Sequence, residues 1–197
     1  MRRVAVGLLA LLALTAGCGL DEDGSPQAIA PENLPPDLLD PDPGTSTTLT
    51  GAPGTQAVDV YLLQEVAGEV RLAEVQRTVA DRNDPGDRLA SLFAPPSEEE
   101  TADGLVTSIP ADTTLRAMPV LVESADELIL DLSSEFLSVQ GTELVKAFAQ
   151  IVWTVSELDG VEQVRFLVDG QEIRAQDADG AEQDVVSQAD YRALAPR

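Results

Sequence analysis

GTELVKAFAQIVWTVSELDGVEQVRFLVDG, Gly141 to Gly170, reads as a helix, a turn, a strand and the start of a hairpin. Leu144, Ala147, Phe148, Ile151, Val155 and Leu158 recur at three- and four-residue steps, so they share one face of a helix. Thr142 is placed to cap the helix start, and Glu143 sets a negative charge against the positive end of the dipole. Gly160 follows the last periodic residue, where a left-handed stop belongs. Val164, Phe166 and Val168 then alternate as a half-buried strand, and Asp169-Gly170 is a strong hairpin signal. These residues describe a scaffold and no reaction.

Working back toward the N-terminus, Val58, Val60 and Leu62 alternate as a first strand. Glu69 to Val79 is a second, but its apolar parity switches between Leu72 and Ala73, which predicts a bulge there. Asp81 to Asp87 is a polar connection into a short helix carrying Leu89, Leu92 and Phe93, which Pro95-Pro96 ends. Ser97 to Glu100 has the spacing of a capping box. Leu105 to Pro110 returns the chain to the sheet, and strands follow at Thr114 to Val122 and Glu127 to Leu132. After the central segment comes a short edge strand, Gln171 to Arg174. Beyond Ala175 the chain reads as a polar, acidic tail with weak helical character at Asp184 to Leu194.

Two arginines, an apolar run from Val4 to Leu14 and then small residues have the form of a secretory signal over residues 1–17. Leu14-Thr15-Ala16-Gly17-Cys18 resembles a bacterial lipobox, with Thr15 where leucine is usual. The resemblance implies that Cys18, the single cysteine, takes a diacylglyceryl thioether and becomes the mature N-terminus. Such fatty acyl chains, palmitate among them, would hold the protein on the extracytoplasmic face of the cell membrane. Residues 18–56 then form a disordered spacer rich in proline, threonine and acids. A flexible coil of that length averages about 35 Å end to end.

The chain of 197 residues carries 35 acidic side chains against 12 basic ones and no histidine. That balance speaks against nucleic-acid binding, which needs lysine and arginine clusters. Lack of histidine removes the commonest general base and the usual zinc ligand. No catalytic residue, metal ligand or cofactor site is expected. Asp131 and Glu135 are spaced like a carboxylate pair, but Ser133 and Ser134 between them suggest a capped turn with Phe136 in the core. Asp177-Ala-Asp179-Gly180 lacks the ligands of a calcium loop at its first and twelfth positions.

Trp153 lies nine residues after Leu144, about 180° from the apolar face at 100° per residue. With Ala149 and Gln150 it is expected to form an exposed partner-binding patch.

Four motifs carry a wider resemblance: Gly104-Leu-Val-Thr-Ser-Ile-Pro110, Asp131-Leu-Ser-Ser-Glu-Phe136, Ala149-Gln-Ile-Val-Trp-Thr154 and Gly160 to Gly170. In this order they resemble a GerMN domain, which would occupy residues 57–174; Pro95 stands where that family often has glycine. The resemblance implies an α/β (α+β) fold, a mixed or antiparallel twisted sheet with helices on one face, similar to ring-building modules. It also implies a non-enzymatic interaction or assembly module acting on envelope protein partners or on itself. A small-ligand sensor and a cell-wall hydrolase are the alternatives.

Overall fold

The computed structural model describes residues 54–196. The signal, Cys18 and most of the spacer lie outside the described residues. Strand β1 (Gln56–Val66) and strand β2 (Glu69–Val79) form a long antiparallel hairpin. Ala67 and Gly68, at φ 55° and 83°, make its two-residue turn. Pairing runs without interruption from Gln56 opposite Val79 to Val66 opposite Glu69, so the expected bulge is absent. The parity switch has another cause. Leu72 sits opposite Leu63 and Ala73 opposite Leu62, on opposite faces of the hairpin, and both Leu62 and Leu63 are buried. The hairpin is covered on both sides at that point.

Helix α1 (Pro85–Phe93) begins inside the expected polar connection. Asp84 caps it by accepting from the Asp87 N–H at 2.9 Å, and Pro85 fills the first turn, where its missing N–H costs nothing. Helix α2 (Glu98–Ala102) has the capping box read from Ser97 and Glu100. Strand β3 (Leu105–Val106) then pairs with β1, so the first sheet runs β2-β1-β3.

The second sheet is β4 (Val120–Val122), β5 (Glu127–Leu132), β6 (Gln163–Val168) and β7 (Gln171–Ile173), in that order. It is mixed: β5 and β6 are parallel and the outer pairs antiparallel. The parallel pair is joined through helix α3 (Thr142–Val155), as a parallel connection requires. Asp169 and Gly170, at φ 47° and 76°, form the anticipated turn into β7.

The strand expected at Thr114 to Val122 survives only at its ends. Leu115 bridges Leu132 while Val120 pairs with Ile129, so the four residues between them on one side face two on the other. The two extra residues form a bulge around Arg116–Pro119, where Pro119 cannot donate to a ladder. The expected cap at Thr142 also shifts. Gly141 is the N-cap, at φ 61° and ψ −133°, a conformation glycine alone adopts readily, and Thr142 becomes the first helical residue.

Phe136, Phe148 and Phe166 meet where the 3-10 turn Ser134–Ser138, α3 and β6 converge, with ring centroids 4.8 to 6.4 Å apart. Leu128, Leu130, Leu132, Val164 and Val168 complete this layer. The expected acidic tail is instead packed. Strands β8 (Ala175–Gln176) and β9 (Glu182–Gln183) pair, and Val186 exchanges both backbone hydrogen bonds with Val164 at 2.8 and 3.0 Å. Tyr191 is fully buried in the final 3-10 turn Gln188–Leu194 and donates to the Gln176 carbonyl at 2.9 Å.

Candidate functional site

The surface expected around Trp153 is not a surface. Ala149 and Gln150 are both 0 % exposed, and Trp153 is half-buried against the core with its ring centroid 5.6 Å from that of Tyr61. Periodicity assigned this side of α3 to solvent, but β1 covers it. Among the described residues, the outer edge of β1 has no neighbouring strand beyond its short pairing with β3, and side chains of the helices take that place. Tyr61 donates its backbone N–H to Thr154 Oγ1 at 3.0 Å, and its carbonyl accepts from Gln150 Nε2 at 3.0 Å. Gln150 Oε1 in turn accepts from the Ser108 N–H at 2.8 Å and from Thr107 Oγ1 at 3.3 Å. Two of the family-like motifs, Gly104–Pro110 and Ala149–Thr154, are thus bolted together through one glutamine.

Arg88, only 4 % exposed, extends the seam. Its Nη1 donates to the Asp59 carbonyl at 3.1 Å and to the Thr154 carbonyl at 3.4 Å, at the negative end of α3. Burial lowers its proton affinity, while Glu157 and Asp59 oppose that shift. The Tyr61 hydroxyl donates to Glu157 Oε1 at 2.8 Å, and burial with this contact raises its pKa. These groups hold backbone and each other, which is structural chemistry.

The carboxylates set aside from the sequence also have structural partners. Asp131 Oδ1 accepts from the Gly170 N–H at 2.9 Å. Glu135 is exposed, its carboxyl held below the usual range by the Ser133 hydroxyl. Asp177 Oδ1 accepts from the Asp179 and Ala181 N–H groups within the β8–β9 turn, which lowers its pKa. Among the described residues, no group of three potential ligands gathers to hold a metal ion.

What is open lies elsewhere. Six large apolar side chains stand exposed among the described residues, and three of them fall at Met118, Val120 and Leu121, with Met118 at 82 %. The bulge places Met118 on its crest. Beside this ledge, two hollows of about 400 and 340 Å³ lie between α1 and residues 112–119, and a third of about 270 Å³ is lined by Pro85, Leu121, Leu128 and residues 158–161. Sequence periodicity missed the ledge because a two-residue slip in a ladder leaves no periodic trace; Pro119 was its only local signal.

Residues 47–174 match the Germane family, described as sporulation and spore germination. This chain belongs to that family. Its fold is similar to the tandem GerMN domains of the sporulation protein GerM from Bacillus subtilis, at 19 % identity and a TM-score of 0.54. That match covers 74 % of this chain and 49 % of the tandem protein. The first GerMN domain of the same protein matches at 18 % identity and a TM-score of 0.50, covering 68 % of this chain and 98 % of that domain. These likenesses establish the α+β fold of the Germane domain, with its mixed sheet and few helices. No curated protein matches the chain. The seam at Tyr61 and the Phe136–Phe148–Phe166 cluster lie inside the matched span, whereas the packed segment from Ala175 lies beyond it.

Proposed function

We propose that this Germane chain is an extracytoplasmic adaptor. Cys18 carries the lipid, the spacer to residue 56 gives reach from the membrane, and the folded domain holds an envelope protein partner without catalysing a reaction. The observation that carries this reading is the pair of exposed apolar side chains Met118 and Leu121, each lining one of these hollows. Scattered apolar side chains on a surface are ordinary, but grouped ones beside a groove favour a binding role. A hydrolase needs convergent acid and base groups, and the perturbed carboxylates here each serve a turn, a cap or an ion pair. A small-ligand sensor needs an enclosed apolar pocket with a few polar groups, and the three hollows are open to solvent. Family membership supports a setting in sporulation or germination assemblies.

Fractionation of the native host tests the anchor. Labelled palmitate should enter the wild-type chain and remain with the membrane, and Cys18→Ser should release the protein and abolish the label. A Cys18→Ser variant that keeps both would refute it.

A further inference from the structure

Two of the hollows beside the ledge share Leu115 and form one groove, and the third lies next along α1, where Pro85 follows Asp84. One wall is α1; the other is the bulged segment leading into β4, with Leu128 and residues 158–161 closing the third hollow. Among the described residues, β4 is the terminal strand of its sheet and has no strand on its outer side. An open strand edge offers backbone hydrogen-bonding groups that an extended segment can use and a helix cannot.

Its charge selects the occupant. The lining holds the carboxylates of Asp84, Asp112 and Asp159 against one cation, Arg116. Arg116 is itself paired with Asp169 at 3.1 Å. With 35 acidic residues against 12 basic ones, a second copy of this chain would bring like charge to the groove, as would an anionic lipid surface. We propose that the groove between α1 and residues 112–121 docks an extended, cationic polypeptide segment of a partner. Aliphatic side chains would enter the hollows beside Met118 and Leu121, and lysines or arginines would meet the aspartates along the rim. Alternation of the two types is what an extended chain presents to a wall. This inference rests on the adaptor reading.

The test uses the full lipidated chain in detergent micelles. The probe is a fluorescein-labelled Lys-Val-Lys-Leu-Lys-Val-Lys peptide, with its glutamate-for-lysine counterpart as control, read by anisotropy. The cationic peptide should bind and the acidic one should not. Raising salt from about 50 to about 300 mM should weaken binding several-fold, since the Debye length falls below about 10 Å. Met118→Lys should weaken it at least tenfold; at 82 % exposure this residue can be changed without disturbing the core. Glu74→Lys, an exposed change of comparable sign on β2, should leave binding within twofold. No binding of the cationic peptide, or equal loss in both variants, overturns the proposal. Photo-crosslinking in the native membrane separates the two readings. Benzoylphenylalanine at Met118 should trap a partner that the same group at Glu74 does not. A product from Glu74 alone would remove the groove and leave the adaptor standing; no product from any surface position would remove both.

Discussion

Replacing Gln150 with leucine probes the seam on which the first sheet depends. The substitution nearly preserves volume but removes both arms of the amide. Two buried backbone groups lose their partners: the Tyr61 carbonyl, held at 3.0 Å, and the Ser108 N–H, held at 2.8 Å. Tyr61 is 4 % and Ser108 9 % exposed, so water does not readily replace the lost bonds. Each buried, unsatisfied group costs about 1–3 kcal/mol, which gives a total of about 2–5 kcal/mol once the added apolar burial offsets part of it. A domain of this size holds about 5–15 kcal/mol, so the variant sits near its limit. The corresponding fall in melting temperature is about 5–15 °C. Urea unfolding followed through Trp153, the single tryptophan, reads the change directly. Thr154→Val, which orphans the Tyr61 N–H, should cost about 1–2 kcal/mol. The double variant should lose less than the sum, because both side chains grip the same residue. If Gln150→Leu shifts stability by less than about 0.5 kcal/mol, as an exposed position would, the seam has no energetic role and the reasoning fails.

Trp153→Ala should destabilise by about 2–3 kcal/mol, since the ring packs on Tyr61 and the core; an unchanged melting curve would return it to the surface. Tyr191→Ala should cost about 3–5 kcal/mol and expose residues 175–196 to hydrogen exchange, whereas unaltered protection would make that segment dispensable. Glu100 bonds the guanidinium of Arg77, which holds its carboxyl below the usual range. Its stabilisation is therefore full above the ordinary carboxylate pKa of about 4.3 and fades as pH falls through the depressed folded value. Glu100→Gln should flatten that acid limb of the urea-midpoint profile; an unchanged limb would assign the acid sensitivity to other groups.

Local chemistry was the legible part of this chain. The Ser97–Glu100 capping box, the Asp169-Gly170 turn and strand β6 each need only a few neighbouring residues, and each stands where the sequence put it. Apart from the one-residue shift of the α3 cap to Gly141, what failed depended on distant residues. The far side of α3 was assigned to solvent by periodicity, although AFAQIVWTVS from Ala147 to Ser156 contains no charge, the mark of a helix covered all round. The parity switch in β2 came from a change of covered face, which only the packing partners reveal. The bulge before β4 and the burial of Tyr191 likewise depend on pairings with β5 and β6 that no short window contains. For the site, the ledge was invisible and the expected patch was core.

The seam at Tyr61 also sets an order of events. Its backbone is satisfied by residues 89 and 93 positions later in the chain. While translation proceeds from the N-terminus, the β1–β2 hairpin emerges with one edge bare until α3 arrives. Closing loops of that length before any reward makes folding slow, and bare strand edges recruit other chains. The acidic surplus of the sequence then acts in time as well as in space, keeping half-made copies apart until the helix locks the hairpin.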